Sequence, residues 1–252
     1  MLKDRRDKIS KYIVSKGDVT LTELSELFPE VSTMTLRRDL EFLENLGEIV
    51  RTKGGAKSIK HLSMQIEESY NRREFINPEL KEEIGKKVAA LIKDNSCVFF
   101  DAGSTVMQVV KALGDKPLFA ITSGPNIAME LTKNRNCDIS VVCGHLNHDN
   151  ISLSGLHAAE FLSGLNIGIA VVAASGFTTE NGFTCGSYDE CMLKQAAIKG
   201  ATTVIVVMDS TKLGKGHPFT FAQPSDIDYF VTDDNFDKRI KAQLKKSGLK
   251  VL

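Results

Sequence analysis

The first 58 residues repeat apolar side chains at helical spacing, with short polar stretches between the repeats. Ile9, Tyr12 and Ile13 predict a first helix, because positions three and four residues apart share one helix face. Gly17 is expected to end that helix, and residues 18–20 are expected to form a short extended connector.

Two further helices are predicted before residue 48. Thr22 is expected to be the N-cap of the second helix, which Pro29 closes. Ser32 is expected to be the N-cap of the third helix, and Gly47 is expected to end it. The third helix places four leucines on one inward stripe, namely Leu36, Leu40, Leu43 and Leu46.

A turn unit follows the third helix. The pattern predicts an extended segment at 48–51, a turn at Gly54 and Gly55, and a returning strand at 56–58. Three short helices followed by such a unit are typical of a winged helix-turn-helix. We therefore predict a winged helix-turn-helix domain over residues 1–58, with the helix-turn-helix itself at about 20–39.

The rest of the chain has a different pattern. Residues 59–83 are polar and rich in charge, which predicts a linker helix. From residue 84 onward, near-continuous apolar runs alternate with helical stretches, as in a mainly parallel sheet covered by helices on both faces. The predicted strands are Cys97–Phe100, Leu118–Ile121, Ile139–Val142, Ile167–Ala173, Thr203–Met208 and Tyr229–Val231. The predicted fold is thus a winged helix-turn-helix followed by an α/β domain over 84–252.

Composition narrows the possible functions. Hydrophobic residues make up 42% of the 252 residues, which is enough for a substantial core. Lys plus Arg and Asp plus Glu both number 32, so a globally basic nucleic-acid binder is excluded. Up to Ser58, eleven Lys and Arg stand against ten Asp and Glu. Any DNA binding must therefore depend on a local cluster of positive side chains.

Neither a membrane segment nor a cysteine site is indicated. No run approaches the ~18 apolar residues that span a bilayer, and the N-terminus lacks the apolar block of a secretory signal. Five cysteines without a C-x-x-C spacing disfavour both a disulfide framework and a cysteine zinc site. We expect a soluble cytoplasmic protein that has no membrane partner and no cofactor.

The N-terminal turns of the third helix carry side chains suited to reading DNA. In helix-turn-helix proteins, those turns enter the major groove. Arginine pairs with guanine or phosphate, and threonine contacts a base edge or a thymine methyl group. The expected contacts to double-stranded operator DNA are Ser32, Thr33, Thr35, Arg37 and Arg38 on the helix, with Arg51 and Lys53 on the wing.

This region resembles the DeoR family of bacterial transcriptional repressors. The family signature is a small cap residue, two spacers, Thr, an aliphatic residue, Arg, a basic residue, Asp and an aliphatic residue, and residues 32–40 match it throughout. Residues 51–56 resemble the family's wing, with Lys53 where His is usual, and the turn at 28–31 is one residue longer than usual. The resemblance implies a DNA-binding repressor.

Polar, glycine-containing segments follow the predicted strands of the second domain. In parallel α/β sheets, ligands bind at the carboxyl ends of the strands. Residues 101–105 also open a helix, where backbone N–H groups favour an anion. These strand ends predict one pocket for a polyhydroxylated phosphate, to which we assign Asp101, Gly103, Ser104, Thr105, Thr122, Ser123, Gly144, Ser175, Gly176, Lys194 and Lys212.

The family resemblance extends through this domain to Asp234. DeoR-type sensor domains carry an Asp-x-Gly-Ser/Thr-Thr loop, matched at 101–105, and a helical lysine, matched by Lys194. They also carry an Asp-Ser-Ser-Lys type loop, matched at 209–212. The resemblance implies a fold similar to ribose-5-phosphate isomerase and a phosphorylated sugar as effector. One small helix-turn-helix offers too little contact for tight specific binding, so we also expect a homo-oligomer.

A sugar-phosphate isomerase-like enzyme is the main alternative. The related isomerases place two Asp residues in the fourth loop, whereas residues 174–180 of this chain hold only Glu180 as a candidate base. His145, His148 and His157 suit a metal only if their loop folds back. A non-regulatory DNA-binding scaffold is a third alternative, which the polar strand ends disfavour. We predict a repressor of a sugar-metabolism operon, with no catalytic residue and no metal.

Overall fold

The computed structural model describes residues 2–46, 49–52, 54–58 and 69–252. The chain divides into two compact units, Met1–Ile66 and Glu67–Leu252, and the division lies within the predicted linker. The predictions for Gly47, Glu48 and Lys53 lie outside the described residues.

The first unit is a winged helix-turn-helix, as predicted. Its helices and strands are α1 Leu2–Lys16, β1 Asp18–Thr20, α2 Leu21–Leu27, α3 Thr33–Asn45, β2 Ile49–Thr52 and β3 Gly55–Ser58. The three strands form an antiparallel sheet in the order β1-β3-β2. The buried side chains Ile9, Leu24, Leu36 and Ile49 join the helices to the sheet in one core. This core fixes the position of α3.

Two local predictions in this unit are wrong. The N-cap of α2 is Thr20 rather than Thr22, because the Thr20 hydroxyl accepts from the Glu23 N–H at 3.2 Å and Thr20 N–H donates to the Glu23 carboxylate at 2.8 Å. Leu46 is 57% exposed, because it lies at the C-cap of α3, beyond the buried stripe. Ser32 is the N-cap of α3, as predicted, and accepts from the backbone N–H of Thr35.

The predicted linker helix at 59–83 falls only partly within the described residues. Residues 59–68 lie outside them, and the remainder contains two helices, α4 Tyr70–Arg73 and the start of α5 Pro78–Leu91. Pro78 occupies the first turn of α5, where a missing N–H costs nothing. Ile84 and Val88 of α5 are fully buried, so α5 belongs to the core of the second unit.

The second unit is built on a seven-stranded parallel sheet, in which all six predicted strands lie. The strands are β4 Ser96–Phe100, β5 Leu118–Thr122, β6 Cys137–Val141, β9 Ile167–Ala173, β12 Ala201–Val207, β14 Tyr229–Val231 and β15 Lys250–Val251. Their order across the sheet is β15-β14-β12-β9-β4-β5-β6.

Helices cover both faces of this sheet and produce two separate buried cores. The helices α5, α6 Ser104–Ala112 and α7 Pro125–Leu131 cover one face. The other face is covered by α8 Leu156–Ser163, α9 Tyr188–Gly200 and α10 Lys238–Lys246. Because each helix after a strand starts at the carboxyl edge of the sheet, the polar strand ends lie along one edge.

Several smaller elements were not expected from the pattern. They are the hairpin β7 His145–Asn147 and β8 Ser152–Ser154, and the small sheet of β10 Gly176–Thr178, β11 Gly182–Cys185 and β13 Phe219–Ala222. The strand β6 also differs from expectation, since it is an edge strand rather than one buried on both faces, and Val141 is 42% exposed. Among the described residues, no helix is long and apolar enough to cross a bilayer.

Candidate functional site

The N-terminal turns of α3 present the predicted DNA contacts to solvent. Ser32, Thr33, Arg37 and Arg38 are exposed, and Thr35 is half-buried. The Ser32 hydroxyl caps the helix, and the Thr35 hydroxyl lies 2.9 Å from it. Thr33 and Arg37 lie four residues apart and share one helix face. The exposed cations of α3 are thus Arg37 and Arg38.

The orientation of α3 depends on a buried carboxylate that the sequence analysis did not single out. Asp39 is 1% exposed and accepts from Nε of Arg5 at 2.7 Å and from Nε of Arg6 at 2.8 Å. Burial alone would raise the pKa of Asp39, but the two guanidinium groups hold it below its ordinary value. Asp39 therefore ties α3 to α1, while Arg37 and Arg38 stay exposed.

The wing is braced by a second ion pair. Nε of Arg51 donates to the Glu44 carboxylate at 2.6 Å, and the Arg51 N–H donates to the same group at 3.0 Å. A side chain at Gly55 would place its Cβ 1.9 Å from the Val19 carbonyl oxygen, so only glycine permits the pairing of β3 with β1 there. Arg51 thus supports the wing as well as offering a positive charge.

In the second unit, the predicted effector residues converge at the carboxyl edge of the sheet around a buried ion pair. Asp101 follows β4, and its carboxylate accepts from the ammonium of Lys194 on α9. The Ala173 N–H donates to Asp101 at 3.0 Å, and Lys194 donates to the Ala173 carbonyl at 3.0 Å. Burial would lower the pKa of Lys194, but the Asp101 carboxylate raises it above its ordinary value.

The loop after β5 joins this ion pair. The Ser123 hydroxyl lies 3.5 Å from the Asp101 carboxylate and accepts from the Ala102 N–H at 2.9 Å. Thr122 is fully buried, and its hydroxyl accepts from the Gly124 N–H at 3.0 Å. Thr122 therefore shapes the loop, whereas Ser123 faces the carboxylate.

Ser104 and Thr105 open α6 directly beside this cluster. They are 3% and 1% exposed, and Gly103 is the N-cap of the nine-residue helix. The first N–H groups of a helix have no partner within it and carry partial positive charge. This end of α6 is therefore suited to a small anion held between backbone N–H groups and two hydroxyls.

A lysine that the sequence analysis missed adds to the positive charge at this edge. Lys81 on α5 is 2% exposed and donates to the carbonyl oxygens of Arg73 and Ile76. Burial and repulsion from Lys212 lower its pKa from 10.5 to about 8. Lys81 resembles any solvated helical lysine in the sequence, so only its burial distinguishes it.

The chain topology brings Lys81 and α6 together. The helix α5 ends just before β4 and α6 begins just after it, so both helices start at the carboxyl edge. The close approach of Gly85 to Gln108 places the two helices side by side. Lys212 reaches the same edge, donating to the Ala174 carbonyl at 3.3 Å and lying 3.9 Å from the Asp209 carboxylate.

Of the remaining predicted effector residues, two are buried at the same edge and one is exposed on a hairpin. Ser175 and Gly176 are buried at the end of β9, next to Lys212. Gly144 is exposed, and its φ of +134° and a Cβ position 2.4 Å from the Ser154 carbonyl oxygen explain why glycine stands there. Gly144 therefore shapes the β7–β8 hairpin and is not among the buried polar groups.

The residues considered for metal or enzyme chemistry do not converge. His148 pairs with Asp149 at 3.4 Å and His157 with Glu160 at 3.3 Å, both largely in solvent. Within the described ranges, no group of three or more His, Cys, Asp or Glu side chains is arranged to hold a metal ion. Glu180 is exposed, and its carboxylate accepts from the hydroxyl of its neighbour Thr179 at 2.8 Å.

Comparison with known proteins covers both units. A family model described as the DeoR-like helix-turn-helix domain matches residues 5–61, and one described as the DeoR C terminal sensor domain matches residues 76–234. The HTH-type transcriptional regulator GolR of Listeria innocua is 31% identical, with 98% of this chain and 97% of the relative covered. The HTH-type transcriptional repressor GlcR of Bacillus subtilis is 30% identical, with 99% and 95% covered.

Solved structures give a more distant likeness. Ribose 5-phosphate isomerase A from Methanocaldococcus jannaschii is 19% identical and has a TM-score of 0.40, with 54% of this chain and 55% of that chain covered.

Proposed function

Because the chain belongs to the DeoR family of DNA-binding transcriptional regulators, we propose that it represses a sugar-metabolism operon and leaves its operator when a phosphorylated sugar binds. The regulator is expected to act in the cytoplasm, where its DNA lies. The relatives that match almost the full chain are named as transcriptional regulators and repressors, which favours a regulator over an isomerase-like enzyme.

The DNA-binding half of the proposal rests on the exposed end of α3. Arg37 and Arg38 are free to enter the major groove, with Thr33 beside them and Arg51 on the wing facing the backbone or the minor groove. One such unit contacts too few base pairs for tight specific binding, so two copies are proposed to read two half-sites as a homo-oligomer.

The effector half rests on one observation above the others, the burial of Lys81 near Lys212. Lys81 is 2% exposed and its described ammonium contacts are both carbonyl oxygens. Burial of a cation is costly, and repulsion from Lys212 raises that cost, which the carboxylates of Asp209 and Glu74 offset only in part. A bound phosphate would offset both charges, so these lysines support a phosphorylated ligand.

The neighbouring groups orient such a ligand. We propose that the phosphate lies at the start of α6, against Gly103, Ser104 and Thr105, with Lys81 and Lys212 as its counter-charges. The hydroxylated end of the sugar would then face the carboxylate and hydroxyl of the strand ends. The groups proposed for that end are Asp101, Ser123 and Lys194.

A gel-shift assay tests both halves of the proposal. The probe is the DNA immediately upstream of the gene cluster that encodes this protein, assayed with and without ribose 5-phosphate, fructose 6-phosphate, glucose 6-phosphate and inorganic phosphate. Release by one sugar phosphate is expected. Binding that no compound alters would contradict the effector half, and the absence of binding at low salt would contradict the DNA-binding half.

A further inference from the structure

The short helix α4 is anchored to the second unit by a turn in the β7–β8 hairpin. In sequence, α4 is the first described helix after the segment that joins the two units. The Tyr70 N–H donates to the Asp149 carbonyl at 2.7 Å, and Nη2 of Arg73 donates to Oδ1 of Asn150 at 3.1 Å. The position of α4 therefore depends on residues 149 and 150.

Asn150 has partners at both ends of its carboxamide. Its oxygen accepts from Arg73, while its Nδ2 donates to the Glu190 carboxylate at 2.8 Å. Ser152, on the same hairpin, donates to the same carboxylate oxygen at 2.6 Å. Asn150 and Glu190 are 9% and 8% exposed, so little water competes for these bonds. Asn150 thus links α4 to α9.

The helix α9 leads from this contact to the proposed effector site. Glu190 and Lys194 lie one helical turn apart on α9, and the negative charge of Glu190 acts on Lys194. Lys194 in turn pairs with Asp101 at the end of β4. A shift of the ion pair on ligand binding would therefore move the turn of α9 that holds Asn150.

The turn that carries Asn150 is strained. Ile151 lies between Asn150 and Ser152 and has a φ of +50°. This left-handed conformation is unfavourable for a β-branched residue. The bonds of both neighbours to Glu190 hold the turn in this conformation, so their loss would let it relax to an ordinary one. A turn held in a strained conformation by two side-chain bonds is suited to act as a switch element.

We propose that Asn150 is the positioning residue that couples the effector site to α4, and through α4 to the segment leading to the DNA-binding unit. The identity of the effector rests on the function proposed above, whereas the coupling rests on contacts of the second unit alone. None of the hydrogen bonds described for Asn150 involves a residue assigned to the effector.

Hydrogen–deuterium exchange of the full chain, without effector or DNA, tests the proposal. Asn150→Asp keeps an acceptor for Arg73 but places a carboxylate against Glu190, which breaks the link from α4 to α9. Peptides over 69–76 are therefore expected to exchange about tenfold faster, as for the loss of one buried hydrogen bond. Adding Glu190→Gln supplies a donor to the new carboxylate and should restore slow exchange. Glu190→Gln alone should have little effect, because its side-chain oxygen still accepts from Ser152 and Asn150.

A peptide over β12 shows whether each variant remains folded, and Asn150→Ala provides a second variant without an added charge. Unchanged exchange of α4 in both Asn150 variants, or no restoration by Glu190→Gln, would overturn the proposal. Asp101→Asn should also accelerate exchange of α4, but it should add nothing in the Asn150→Ala background; full additivity would overturn the coupling. Failure of sugar phosphates to bind would leave these results unchanged, so the two proposals fail separately.

Discussion

Lys194 and Asp101 form a buried ion pair although 93 positions separate them in sequence. Both also bond to the backbone of Ala173, with the ammonium donating to its carbonyl and the carboxylate accepting from its N–H. The pair therefore locks the ends of β4 and β9 to α9. Each side chain is only 5% exposed, so each charge depends on the other.

Removal of one partner of this pair should lower the free energy of unfolding more than replacement of both partners. Lys194→Met should lower the free energy of unfolding by about 3 kcal/mol, because it leaves the Asp101 carboxylate buried and unpaired. The double variant Lys194→Met with Asp101→Asn should recover part of that loss. Urea unfolding of the single and double variants measures the difference, and simple additivity would show that the two charges are not coupled.

Asp39→Asn should destabilise the DNA-binding unit by about 2 kcal/mol at pH 7, because two guanidinium groups lose their shared carboxylate. The pKa of Asp39 in the folded unit lies below its ordinary 3.8. Its contribution is therefore fully present above about pH 4 and is lost as the pH falls through the lower, folded value. Urea unfolding as a function of pH should show the two proteins converging in acid, while the exposed control Glu41→Gln should match the wild type.

Arg38→Ala should weaken operator binding about tenfold or more, through the loss of one base or phosphate contact. Fluorescence anisotropy with labelled operator DNA at moderate salt measures this effect. Lys111→Ala removes an exposed positive charge from the second unit and serves as the control. Equal affinities of the two variants would exclude the proposed role of α3.

Ser104→Asp should abolish the response to a phosphorylated sugar and leave operator binding intact. The substitution puts a negative charge at the start of α6, where the phosphate is proposed to lie. Aspartate is chosen because it is the shorter acidic residue and the buried Ser104, which is 3% exposed, leaves little room. Gel shifts with the sugar phosphate that releases the wild-type protein measure the response. A normal response of the variant would place the phosphate elsewhere.

The affinity for inorganic phosphate should fall as the pH rises above about 8. The pKa of Lys81 is lowered to about 8, so its positive charge is lost in this range while phosphate remains an anion. Isothermal titration calorimetry should show a decline of about tenfold between about pH 7.5 and 9.5. Lys81→Met should bind weakly at every pH, whereas the exposed control Lys86→Met should follow the wild-type curve.

The local sequence pattern predicted the structure best where a few neighbouring residues determine it. Ser32 caps α3 as expected, because a hydroxyl before a helical run satisfies a free N–H wherever that helix lies. The pattern predicted Thr22 as the cap of α2, whereas the cap is Thr20, because both threonines precede the same apolar residues. The pattern also predicted that β6 is buried on both faces, because the apolar residues of a strand do not reveal whether it lies at the edge of a sheet.

The sequence by itself determined the two-part organisation, the six main strands and the polar strand ends, because periodicity and apolar runs are local properties. It also supplied the signature of α3 and the family to which the chain belongs. Only the tertiary structure decided that Asp39 binds Arg5 and Arg6, that Lys81 is buried, and that Asn150 connects α4 with α9. These roles arise from burial and from contacts between distant positions, and both depend on how the complete chain packs.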